Sequence, residues 1–107
     1  MIILHYLEVF FAGLLLCNCI PHLACGLRGE SFPTPFAKPP GLGHSSALVN
    51  FLWGFFNFTA GISLWSSAFI VIGLNLDFGI FLTGFFLMGV FSAHHFESAR
   101  LNKKDQQ

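Results

Sequence analysis

Cys19 and His22 stand three positions apart in "NCIPHLACG", residues 18 to 26, and Cys25 comes three further on. On a helix, residues three apart share a face. The stretch "SAHHFESAR", residues 92 to 100, repeats that spacing with His94 and Glu97 and adds His95; His44 lies between the two stretches. Neutral imidazole and thiolate are common ligands of zinc, copper and iron. Cys19, His22, His44, His94, His95 and Glu97 are therefore candidate ligands for a transition metal or a haem, provided the fold gathers them. No C-x-x-C and no H-E-x-x-H is present, so no single piece is a metal motif. The plainer reading is that histidine, with an apolar body and a polar tip, suits a membrane interface.

Glu8 is the one acid well inside the first apolar run. An intramembrane carboxylate is a functional candidate in its own right. His5, about one turn earlier, is its expected partner, and Asn75 and Asp77 are expected at the same level. Glu8 with His5 thus supports a proton or small-solute carrier. A path from Glu8 to the histidines would cross a belt dense in Phe, with no acid between.

A third pattern is Asn50, Gly54, Asn57 and Gly61. Steps of four, three and four keep these residues on one side of a helix. Small residues let helices approach closely, and Asn can hydrogen-bond across the contact. The stripe reads as a packing face, within the chain or between chains, and secondarily as a solute path lined by the two asparagines. Gly79, Gly84 and Gly89, five apart, wander around a helix and carry less information.

These groups must be positioned by membrane helices. Apolar residues are 54% of the 107 and charged residues 9%, whereas a soluble domain carries about 25% charge. A water-facing surface cannot be built from this composition. The first apolar run, about 2 to 26, is long enough to cross a hydrocarbon core of ~30 Å. Four of the five prolines then fall in "RGESFPTPFAKPPGLGHSS", residues 28 to 46, and proline blocks helix. This is a loop lying on the bilayer surface or covering the helix ends, with Ser45 or Ser46 capping the second helix. The next fifty residues fit two spans, not three. "GLNLD", residues 73 to 77, is the polar break, with Gly73 ending one helix and Asp77 capping the next. The expected fold is an all-α integral membrane protein with spans at about 2 to 26, 47 to 72 and 78 to 97, forming one domain with a polar tail over 98 to 107. Span two is over-long and should tilt, or kink near Ser63, Ser66 and Ser67.

Charge gives the orientation. With three spans, Arg28, Lys38, Arg100, Lys103 and Lys104, which are all of the Lys and Arg, fall on one side. The positive-inside rule places that side, with the C-terminus, in the cytoplasm and the N-terminus outside. No basic residue precedes Arg28, so a secretory signal is not expected. "HLAC" fits a lipoprotein cleavage box only in part. "NCIPHLACG" then reads as the cytoplasmic end of span one, with Pro21 freeing the carbonyl of Cys17. The three cysteines read as reduced, small apolar residues.

A formal net charge of zero gives nucleic-acid binding no electrostatic basis. No G-x-S-x-G and no phosphate-cradling glycine loop is present, and no enzymatic activity is expected. Three helices of this size bury little among themselves. The expected function is a helical-bundle subunit in the bilayer, a homo-oligomer or an accessory of a larger membrane complex. The alternatives are the metal or haem protein and the Glu8 carrier described above.

Overall fold

α1 (Ile2–Leu27), α2 (Ala47–Ala68) and α3 (Leu76–Asp105) are the three long elements of the computed structural model, which describes residues 2 to 105, with backbone alone at 103 to 105. Each is long and apolar enough to cross a membrane, and the molecule is 49 Å along its main axis. At 1.5 Å per residue, even the shortest helix, with 22 residues, spans about 33 Å.

The helix ends reflect local chemistry. α1 closes with Glu30 N donating to Cys25 O at 2.9 Å and Gly29 N to Gly26 O at 3.1 Å, with Gly29 left-handed at φ 74°. That is a Schellman ending, and glycine takes its left-handed position without a Cβ penalty. Ser46 caps α2, accepting from Val49 N at 3.2 Å.

The far end of α2 differs from the sequence reading. The helix stops at Ala68, and Phe69 takes the left-handed position at φ 54° and ψ 48°. Ile70 N donates to Trp65 O, and the Ile70 side chain is buried with Val9, Ala12, Ala68 and Phe81. Burying Ile70 beside Trp65 supplies the hydrophobic contact of this ending, so Gly73 is not the terminator. α2 therefore needs no serine kink to fit a bilayer. Asn75, not Asp77, caps α3: its Oδ1 accepts from Phe78 N at 2.8 Å. α3 also runs on beyond residue 97, through the polar tail to Asp105.

α1 is the hub, packed against both α2 and α3. Gly13 and Gly84 bring α1 and α3 to backbone contact. A Cβ on Gly13 would overlap the Phe81 carbonyl, and one on Gly84 the Phe10 carbonyl. The wandering glycines of α3 thus include one that sets a helix crossing. α2 and α3 meet where Trp65 stands edge-on to Phe81, with ring centres 4.8 Å apart.

The 28 to 46 loop covers the helix ends. It carries a short antiparallel ladder, β1 (Phe32–Pro33) with β2 (His44–Ser45). Thr34 is its buried anchor: its carbonyl accepts from Ala37 N and Gly41 N, and its hydroxyl from Phe36 N.

Candidate functional site

The stripe on α2 packs within the chain. Asn50, Gly54, Asn57 and Gly61 are all buried against α1. A Cβ on Gly54 would lie 2.8 Å from Leu23 N, and one on Gly61 2.8 Å from the Leu16 side chain. The two glycines let the backbones close, and the two asparagines bond across the seam.

Asn57 Oδ1 accepts from Asn18 Nδ2 at 3.0 Å, and Asn57 Nδ2 donates to Trp53 O at 2.8 Å. Asn50 is more constrained. Its Nδ2 faces the carbonyls of Phe32, Ser45 and Ser46 at 3.0 to 3.1 Å. Its Oδ1 lies 2.8 Å from His22 Nδ1. Three carbonyls fix the amide orientation, so Oδ1 must accept and His22 Nδ1–H must donate. In the neutral ring this leaves His22 Nε2 as a lone-pair acceptor. One amide thereby joins α1, the loop and α2.

Beside this seam lies a cavity of about 330 Å³. Asn18 and His22 of α1 line it together with Trp53 of α2, and Phe91, His95 and Phe96 of α3; the loop from Pro33 to Gly41 roofs it. His22 is 2% exposed and lies edge-on to Phe32, Trp53 and Phe96. His95 donates from Nε2 to Gly41 O at 2.8 Å, which ties the roof to α3. Trp53 Nε1 is buried and has no hydrogen-bond partner among the described residues.

The six candidate metal ligands are dispersed. Cys19 donates to Leu16 O, His22 is held by Asn50, and His95 by Gly41 O. His44 bonds Ser31 and lines a shallow groove with Glu97 and Arg100, and His94 is exposed. Among the described residues, no three His, Cys, Asp or Glu side chains gather as a metal site. Four histidines do lie near one level, but the helices turn them to different neighbours.

At the opposite end His5 pairs with Asp77, Nε2 to Oδ2 at 2.9 Å, and not with Glu8. Glu8 accepts instead from Ser67 at 3.0 Å and lies on an outer groove with Leu4, Leu7 and Phe11. Between its level and His22 the helix contact holds Val9 and Ala12, both 0% exposed, and Phe81. No polar chain links Glu8 to the histidines among the described residues. Outside the spans, Arg28 donates to both carboxylate oxygens of Glu30 at 3.1 Å. That hydrogen bond, then the guanidinium charge, holds the Glu30 carboxyl below the usual range.

Sequence reasoning missed Asn18, Trp53 and the His5–Asp77 pair as site features. Asn18 left a signal. It lies one turn before His22, so α1 carries two polar groups on the same face.

Fold and seam together define an all-helical three-helix protein whose helices are long and apolar enough to cross a membrane. No family model matches the chain, and neither curated proteins nor solved structures show a significant match to it.

Proposed function

We propose that this chain is a multi-pass membrane protein, with its N-terminus outside and its C-terminus cytoplasmic, that serves as a helical-bundle subunit of a larger membrane assembly. One observation carries the reading. The polar and small stripe of α2 is spent inside the chain, while α3 is packed on one side alone. Only 11% of its apolar stretch is buried, against 28% for α1. The outer face of α3 offers Gly79 and Thr83 among Leu82, Phe86, Leu87 and Val90, all exposed. Small residues of that kind let a neighbouring helix approach. The arginines and lysines at the loop end support the orientation.

Two experiments test this. A reporter active only in the cytoplasm should be active at the C-terminus and silent at residue 75; activity at both sites ends the three-span topology. Thr83→Cys, with the native cysteines buried, should cross-link in native membranes to a partner helix. A single band at twice the mass of the chain identifies a homo-oligomer, and a heavier band at any other mass an accessory subunit. Monomer alone, under reagents that label the new cysteine, rejects the subunit role.

A further inference from the structure

We infer that the cavity between Trp53, His22 and the 33 to 41 roof is a binding site for a neutral, flat, lipid-soluble ring carrying a hydroxyl group. The cavity is lined by residues of α1, the loop, α2 and α3 of a single chain.

Size and lining select the class. About 330 Å³ falls at the lower end of small-molecule pockets, roughly 300 to 1,000 Å³. No Lys, Arg, Asp or Glu lines the cavity, so a charged ligand would be desolvated without a counter-charge. Trp53, Phe91 and Phe96 supply ring faces and edges, which favour an aromatic guest. The walls also belong to helices apolar enough to span a membrane, so the ligand can arrive from lipid.

The polar groups select the hydroxyl. Trp53 Nε1 is a buried donor without a partner, and indole N–H can only donate. It needs an acceptor oxygen. His22 has spent its Nδ1 proton on Asn50, which leaves its Nε2 lone pair to accept from a donor. The two rings are 6.5 Å apart between centres and steeply inclined at 75°. A hydroxyl both accepts and donates, so it satisfies both needs, whereas an ether leaves one unmet and a hydrocarbon leaves both. An unmade hydrogen bond in a buried site costs more than a made one gains. Asn18, whose Nδ2 gives one of its two hydrogens to Asn57, adds its side-chain oxygen as a further acceptor.

The test uses two probes that differ by one proton donor, 4-butylphenol and 4-butylanisole. The protein carries ¹⁵N in its indole and asparagine side chains in lipid nanodiscs, and Trp65→Phe assigns the two indole resonances. With the phenol, the Trp53 indole proton should move downfield and saturate, while that of Trp65 stays in place. The anisole should need a concentration about tenfold higher, the worth of one net hydrogen bond. Trp53→Phe keeps a ring and removes the donor; phenol affinity, read on the Asn18 side-chain amide, should fall by a similar factor. An unmoved Trp53 signal overturns the site. So does equal binding of phenol and anisole. Joint, unsaturated movement of both indoles is partition into the bilayer and overturns it as well.

Discussion

The side-chain oxygen of Asn50 lies 2.8 Å from Nδ1 of His22, and both residues are almost wholly buried. The same amide faces three backbone carbonyls of the loop and the α2 N-terminus. It therefore decides the histidine tautomer and anchors both ends of the loop whose middle roofs the cavity.

Asn50→Leu is expected to be among the most damaging single changes. It strands the His22 N–H and leaves the Phe32 carbonyl without this donor. Each buried polar group left unpaired costs about 1 to 3 kcal/mol. Asn50→Asp should be no better, since a carboxylate cannot donate to those carbonyls. Thermal melts in detergent check both. A melting temperature within error of wild type for either variant would show that the seam does not depend on this amide.

The Asn18 to Asn57 bond should be worth less, about 0.6 to 2 kcal/mol, because the chain unfolded within a bilayer finds other partners. A double-mutant cycle of Asn18→Leu and Asn57→Leu measures it. Full additivity of the two changes would place their contributions elsewhere.

Gly84 and Gly79 make opposite predictions on one helix. A Cβ at Gly84 meets the Phe10 backbone, whereas nothing lies within 4 Å of one at Gly79. Gly84→Ala should cost about 1 to 3 kcal/mol, as overpacking does. Gly79→Ala should be neutral or stabilise by up to about 1 kcal/mol through backbone entropy. The Gly84→Ala melt should fall, while the Gly79→Ala melt holds or rises. Equal effects would mean that α1 and α3 do not cross at Gly13 and Gly84.

Phe69 is 83% exposed in a left-handed conformation. That conformation costs roughly 1 to 2 kcal/mol for a side chain other than glycine. Phe69→Gly should therefore raise the melting temperature, while Ile70→Ala, which empties a core position, should lower it. If Phe69→Gly destabilises as much as Ile70→Ala, the helix does not end at Ala68.

Glu30 sets a small and signed pH effect. Its carboxyl is held lower in the folded chain than in the unfolded one, first by its hydrogen bond to Arg28 and then by that charge. Its contribution is thus present above the ordinary carboxylate value and fades as pH falls through the folded value. Both side chains are 57% exposed, and exposed pairs are worth little. Glu30→Gln should leave the melt nearly unchanged at neutral pH and match wild type in strong acid. A large loss at neutral pH would show the pair to be buried in an assembly.

Three long helices, the loop and a cap at Ser45 or Ser46 were legible in the sequence, because span length, proline placement and capping chemistry are local properties. The stripe on α2 was legible too, since helical period alone puts Asn50, Gly54, Asn57 and Gly61 on one face. What faced that stripe was not. Only the antiparallel pairing with α1 brings Asn18 to Asn57 and His22 to Asn50, residues 39 and 28 positions apart. The helix end at Ala68 was hidden for a similar reason: burial of Ile70 against α1 and α3 outweighs the turn signal of Gly73. The histidines show the limit most directly. Their types and spacing set them near one level, but a side chain's direction depends on how its helix is rotated against its neighbours. That rotation is fixed by close packing at Gly13, Gly54, Gly61 and Gly84, and it turns His22 to an asparagine, His95 to a loop carbonyl and His94 outward.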